Sequence, residues 1–406
     1  MQLLFIHQNF PGQYPHLAAA LVERGDQVVA IGGPTARSIP GVVLHRYDAR
    51  PKGAVPSCHP WAADFQTKIL RAEAVGVLLE RLIREGLRPD LLLGNPGWGE
   101  LLAVKDLLPG IPVLHQVEFV YLLEGGDVGF DPEFSEHSWT DRTRLRLKRA
   151  PQLLAFHDLD WGLAPTAWQA STAPAEFRER ISVIHEGIDT EHIAPRAGST
   201  ITLQKAGLTF RPGDELVSFA ARNLEPYRGF HVFMRMLPRL QALRPNAHVL
   251  IVGGNDVSYG SPPSAGGSWK QVLLNELAGQ LDLKRIHFVG KVPHANLHDL
   301  FRVTACHVYL TYPFVLSWSL LEAMACGAVV IGSATPPVQE VIRHGENGLL
   351  VDFFNGEDLA QQIAAVLASP ASHRFLGDAA RRDVVDGYDL KTVCLPKQLA
   401  LVDRLT

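Results

Sequence analysis

Thr311-Tyr312-Pro313-Phe314-Val315-Leu316-Ser317-Trp318-Ser319-Leu320-Leu321-Glu322-Ala323-Met324-Ala325-Cys326-Gly327 carries more structural information than any other stretch of this chain. An apolar strand over 306–311 runs into Pro313, which ends it. A short turn follows, and a helix opens near Ser317 and Ser319, because serine is a favoured N-cap. Gly327 stops that helix. Its N-terminus, at residues 317–319, presents backbone amides and a partial positive charge on which a diphosphate can dock. Glu322 lies about one turn deeper, where a carboxylate can accept hydrogen bonds from a ribose. The plainer reading is a strand–turn–helix unit of the kind any parallel α/β protein contains, with Glu322 an ordinary helical residue.

The surrounding pattern extends the strand–turn–helix unit in both directions. Short continuous apolar runs recur at 3–8, 27–32, 90–94, 112–117, 161–164 and 182–185. They recur again at 216–221, 248–252, 287–289, 307–311, 329–331 and 349–351. Helical patterns lie between them, among them 13–24, 63–85, 230–243, 271–281 and 297–304. Continuous apolar strands alternating with helices predict parallel sheets covered on both faces. The stretch 187–199, poor in apolar residues and holding Pro195 and Gly198, divides two such sets. Two doubly wound domains are therefore expected, at 1–190 and 200–387. A final helical pattern, within 388–406, is expected to cross back to the first domain.

Composition agrees with two packed cores. The chain has 406 residues, 47% of them hydrophobic and 20% charged, which excludes a disordered protein. The net charge is −4, and no basic block resembles a nucleic-acid footprint. The densest basic run, Arg142, Arg144, Arg146, Lys148 and Arg149, reads first as a solvated helix face and second as a peripheral membrane contact. No apolar run reaches the ~20 residues of a membrane span. The N-terminal segment lacks a leader pattern, and the four scattered cysteines fit a reducing, cytoplasmic setting.

Ligands of doubly wound sheets bind beyond the carboxyl ends of the strands, so the residues there are the site candidates. The first strand of the second set ends in Arg222-Asn223-Leu224-Glu225-Pro226-Tyr227-Arg228-Gly229. Arg222 and Arg228 can neutralise the charge that develops on a departing diphosphate; the alternative is two surface arginines on a turn. Gly253-Gly254-Asn255 ends the next strand and allows close backbone approach to a ligand, or simply a tight turn. Gly290-Lys291-Val292-Pro293 can meet a nucleotide base through its backbone.

These segments, taken in order with Ser319-Leu320-Leu321-Glu322-Ala323-Met324-Ala325-Cys326-Gly327, resemble the retaining glycosyltransferases of family 4. Pro336-Pro337-Val338-Gln339-Glu340 and Gly345-Glu346-Asn347-Gly348-Leu349 continue the likeness, which is dense over 216–353. Gly187-Ile188-Asp189 resembles the family's interdomain element. His7-Gln8-Asn9-Phe10-Pro11-Gly12-Gln13 fills its first strand-to-helix loop. The resemblance implies a GT-B fold: two Rossmann-like domains facing across a cleft. It implies a nucleotide-diphosphate sugar as co-substrate, with no other cofactor and no metal. Arg222, Arg228 and Glu118 become the catalytic candidates. Glu322, Ser317, Trp318, Ser319, Leu316, Gly253, Asn255, Val292 and Gly12 become donor ligands. Asn9, Trp98 and His115 become acceptor ligands, the acceptor being a glycan, a lipid-linked sugar, a protein or a small molecule.

Three departures from the family pattern stand out. The family carries two glutamates eight positions apart, and the first of them is Phe314 here. Its basic pair is five apart, whereas Arg228 follows Arg222 by six. The histidine expected after the 112–117 strand is Glu118, with His115 three residues earlier. Phe314 keeps open a non-catalytic nucleotide-sugar-binding subunit, or an epimerase on the same fold. Asp158-Leu159-Asp160 spells the metal-holding pair of the other glycosyltransferase fold, but it precedes a strand, where aspartate commonly turns the chain. His294 and His298 have zinc-helix spacing without the glutamate that follows the first histidine in such motifs, so a helix surface explains them better.

Overall fold

The computed structural model describes residues 1–50, 58–135 and 138–406. It forms two compact units, Met1–Gly187 with Lys391–Thr406, and Ile188–Leu390.

The first unit contains seven parallel strands: β1 (Gln2–Ile6), β2 (Gln27–Gly32), β3 (Val43–Arg46), β4 (Leu91–Gly94), β5 (Val113–Gln116), β6 (Trp161–Ala164) and β7 (Ile181–Val183). They lie in the order β3-β2-β1-β4-β5-β6-β7, every pair parallel. β1 is buried from Leu3 to Ile6 because its side chains feed two cores. Leu3 and Phe5 meet Leu17 and Leu21 of the helix Pro15–Glu23 on one face. Leu4 and Ile6 meet Val75 and Leu79 of the helix Ala63–Arg84 on the other. Leu401 and Val402, from the helix Leu395–Leu405, join the first of these cores.

The second unit opens with an antiparallel hairpin, β8 (Ile201–Leu203) and β9 (Leu208–Phe210), turned at Gly207 with φ 65°. Its main sheet holds β10 (Leu216–Asn223), β11 (His248–Gly254), β12 (Ile286–Gly290), β13 (Cys306–Tyr309), β14 (Val330–Ser333) and β15 (Leu349–Val351). The order is β12-β11-β10-β13-β14-β15, again parallel throughout. Helix 230–243 occupies the expected residues, with Phe230, Phe233 and Leu237 buried beneath it.

Both sheets reverse direction of growth once: between β1 and β4 in the first unit, and between β10 and β13 in the second. At such a switch point the flanking loops part on opposite faces and leave a crevice at the carboxyl ends of the strands. β3 and the β8–β9 hairpin lie outside the expected strand set. Among the described residues no helix is long and apolar enough to cross a membrane.

Candidate functional site

At the switch point of the first sheet, the loop after β1 wraps around His7. Asn9 donates its amide to His7 Nδ1 (3.1 Å), so the proton sits on Nε2, which donates to Gln13 Oε1 (2.6 Å). Burial holds the imidazole neutral, with its pKa lowered to about 4. Gly12 is exposed and left-handed (φ 53°), and a Cβ there would stand 2.1 Å from the His7 ring. Trp98, from the loop after β4, packs edge-on against the same ring at 4.6 Å. Glu118, just past β5, accepts from Asn95 Nδ2 at 3.2 Å, while its carbonyl accepts from Gln169 Nε2 at 2.6 Å. Asn9, Gly12 and Trp98 are thus gathered on His7, a residue the motif contained but for which no role was assigned.

His115 does not belong with them. It points into the core from β5, against Phe156, and neither ring nitrogen has a partner among the described residues. Burial lowers its pKa to about 3. All four residues of β5 are buried, so His115 sits within the strand's core-packed length and Glu118, three residues on, lies past its end. Glu100, in the loop after β4, is also buried. It accepts from Tyr47 Oη at 2.7 Å, and its carboxyl is raised to about 7, chiefly by burial.

At the second switch point Arg222 is exposed at the end of β10, and its guanidinium makes no hydrogen bond or ion pair with the described residues. Arg228 behaves differently and corrects the expectation of a paired diphosphate clamp. It is only 7% exposed. Its Nη1 donates to Tyr309 Oη (3.2 Å), Thr311 Oγ1 (2.8 Å) and the Val315 carbonyl (3.1 Å), and its guanidinium lies over Tyr259 and Phe314. The extra residue in the turn carries it inward, where it ties the loop after β13 to the loop after β10. Glu225, also unforeseen, is fully buried and accepts the amides of Ser258, Tyr259 and Gly260 at 3.0–3.1 Å. It fixes the loop after β11.

The first turn of the helix Trp318–Ala325 also departs from expectation. Ser317 is its N-cap, but the Ser317 amide donates to Tyr309 Oη (2.8 Å) and the Ser319 amide to Ser317 Oγ (3.3 Å). Those two donors are committed within the protein. Trp318 is half-buried and Leu316 buried beside them. The Gly253 and Gly254 pair likewise serves internal packing. A Cβ on Gly253 would meet Leu224 at 2.6 Å, and one on Gly254 would meet Lys291 at 2.3 Å and Asn223 at 2.4 Å. Asn255 is exposed and Val292 half-buried at the ends of β11 and β12. Lys291 stands beside this turn and pairs with Asp256 at 3.3 Å. Asn223 Oδ1 is buried there with no hydrogen-bond partner among the described residues.

Glu322 is 6% exposed on the inner side of its helix. His298 Nε2 lies 3.6 Å and His294 Nδ1 4.0 Å from Glu322 Oε1. His298 is therefore not a surface residue of its helix. Phe314 stands in an aromatic group with Tyr227 (5.4 Å) and Tyr259 (4.9 Å), where a glutamate of the family pattern would sit. Asp160 accepts from Lys105 Nζ (2.6 Å) and the Val113 amide (2.7 Å), a structural strap. Of the basic run on helix 139–157, Arg142, Arg144 and Arg146 are exposed, while Lys148 covers the Tyr121 ring at 3.7 Å.

Residues 24–193 match the glycosyl transferase family 4 group, and residues 204–383 match the glycosyl transferases group 1. The chain belongs to the family 4 glycosyltransferases. Among the family's curated members, a D-inositol 3-phosphate glycosyltransferase of Streptomyces bingchenggensis is 28% identical over 207 residues, half of this chain and 43% of that protein. Another, from Kribbella flavida, is 27% identical over 355 residues, 84% of this chain and 76% of that protein. The chain thus spans less than half of the Streptomyces relative. Among solved structures, a sucrose-phosphate synthase from Thermosynechococcus elongatus superposes with TM-score 0.73 at 20% identity, covering 100% of this chain and 98% of that one. Anabaena HepE in complex with UDP-glucose gives 0.68 at 17% identity, with 100% of both chains covered. These likenesses establish the GT-B fold.

Proposed function

We propose that the protein is a retaining glycosyltransferase that moves a sugar from a nucleoside-diphosphate sugar to an acceptor. The observation that carries this reading is that the second switch point offers both an exposed arginine, Arg222, without a partner among the described residues, and a buried carboxylate, Glu322. Glu322 accepts the ribose hydroxyls. Arg222 meets the diphosphate, with Lys291 a second cation at the neighbouring strand end. Arg228 acts through the loops it ties and does not touch the donor. Asn9 and Trp98 form the acceptor-side candidates on the first unit, with Gly12 and Glu118 beside them.

In same-face transfer, the bond from the anomeric carbon to the phosphate oxygen breaks as the bond to the acceptor oxygen forms. The acceptor hydroxyl's proton passes to the departing phosphate. That route needs no side-chain nucleophile, which suits Phe314 at the position of the first family glutamate. It needs a cation where negative charge grows, and Arg222 supplies it. No cofactor beyond the donor and no catalytic metal is part of this reading. HepE's complex with UDP-glucose supports a nucleotide sugar as the donor class.

The test is a screen of UDP-, GDP-, ADP- and TDP-sugars by thermal shift and by donor hydrolysis. Arg222→Ala should leave the melting temperature unchanged and lower turnover by about a hundredfold, the usual scale for one lost transition-state donor. Glu322→Gln should weaken nucleotide binding in calorimetry. Full turnover in the first variant, or unchanged nucleotide affinity in the second, removes that residue from the site. Phe314 favours a second reading, a nucleotide-sugar-binding subunit without turnover; binding with neither hydrolysis nor transfer across the donor panel would establish it.

A further inference from the structure

His294 and His298 occupy successive turns of the helix His294–Val303 and share one face of it. Glu322 reaches the same point from the helix Trp318–Ala325. The three ligating atoms, two imidazole nitrogens and one carboxylate oxygen, lie within 4.8 Å of one another. Ligands bonded at the usual zinc distances stand about 3.4 Å apart around a tetrahedral ion. The two nitrogen-to-oxygen separations, 3.6 and 4.0 Å, need only a small contraction to reach that spacing. A second observation points the same way. His298 Nε2 is buried and has no hydrogen-bond partner among the described residues, an arrangement that costs stability unless something else satisfies it. The group also has an entrance: the His294 side chain is 79% exposed, that of His298 15% and that of Glu322 7%.

We propose that His294, His298 and Glu322 form a site for a borderline transition-metal dication, zinc above all, whose occupancy excludes the nucleotide. Two imidazoles and one carboxylate match a three-ligand zinc site with an open fourth position. They do not suit magnesium or calcium, which take oxygen ligands. The exclusion rests on the proposed role of Glu322 with the donor ribose: one carboxylate cannot hold the metal and accept the ribose hydroxyls together. Zinc then acts as an inhibitor at the donor subsite and takes no part in transfer.

The test uses the whole chain, stripped with chelator and titrated with zinc chloride by calorimetry, with cobalt(II) d–d absorption as a second readout of geometry. Wild type should bind one ion per chain. Loss of an outer-shell partner alone weakens metal sites about 10- to 100-fold, so loss of a ligand should cost at least about 100-fold. His294→Ala tests this without risk to the core, since that side chain is exposed, and His298→Gln tests the buried ligand. No stoichiometric zinc binding by wild type, or undiminished binding by both variants, overturns the site. Competition is read with adenosine, guanosine and uridine, which present a ribose without a metal-binding diphosphate. Zinc should abolish nucleoside binding to wild type and spare it in His294→Ala; unchanged nucleoside affinity in the zinc-loaded wild type overturns the exclusion. Failure of the stripped protein to bind any nucleoside diphosphate would sink the donor-site reading separately, because the zinc titration does not depend on it.

Discussion

Replacing Glu100 by glutamine should make the protein's stability respond differently to pH. The Glu100 carboxyl is 1% exposed, and its pKa rises from 4.5 to about 7 because burial penalises the charged form more than Tyr47 favours it. A raised acid binds more protons in the native than in the unfolded state between those two values, so its contribution is full below about 4.5 and is lost as the pH rises through about 7. Linkage puts the cost of ionising it at about 1 kcal/mol at pH 5 and about 3 kcal/mol at pH 7.5. Glutamine keeps Oε1 as the acceptor for Tyr47 and never ionises. Relative to wild type, the variant should therefore gain ~2 kcal/mol between pH 5 and pH 7.5.

The wild-type curve alone would hide this. His7, His115, His185 and His307 all have pKa values lowered by burial, to about 4, 3, 4 and 3. The unfolded state takes up their protons first, so their contribution is full above about 6.5 and is lost as the pH falls toward and through those values. Four such imidazoles outweigh one carboxyl, and total stability should rise over the range in which Glu100 opposes it. The assay is urea unfolding of both proteins at half-unit pH steps, read as the difference between them. A difference that stays flat within ~0.5 kcal/mol, the usual spread of a neutral substitution, would refute the argument, as would one of opposite sign.

Two further substitutions bear on the loops. Arg228→Met should cost roughly 3 kcal/mol in chemical denaturation, because it strands Thr311 Oγ1 and the Val315 carbonyl and leaves Tyr309 Oη with the Ser317 amide alone; unchanged stability with lost donor binding would restore Arg228 to the diphosphate. Gly12→Ala should lower stability by about 2 kcal/mol, from left-handed backbone strain and displacement of the His7 ring, and a melting temperature equal to wild type would show that the ring gives way freely.

The parallel strands were legible because burial on both faces writes each one as an unbroken apolar run. β3 was not, since Val43-Leu44-His45-Arg46 is a half-exposed edge strand that pairs only with β2. The β8–β9 hairpin was not, because its six strand residues are short, partly polar and lie beside an apparent linker. Around the candidate site the sequence placed the loops at the strand ends but not the direction of their side chains. The added residue before Arg228 changes which way it points, and nothing local marks Tyr309 Oη as the acceptor that occupies both Arg228 and the Ser317 amide. β5 is buried on both faces, so His115 lies inside whichever way the strand alternates. His298 was read as surface from its own helix, because the carboxylate it faces comes from a different one.

The first unit is assembled from both ends of the chain, since Leu401 and Val402 complete the core beneath β1, whereas the second is one uninterrupted stretch. During synthesis, domains fold as units once their residues have emerged. Every residue of the second unit is encoded before the helix Leu395–Leu405, so the N-terminal half keeps an uncovered apolar face until the last stretch of the chain has been made.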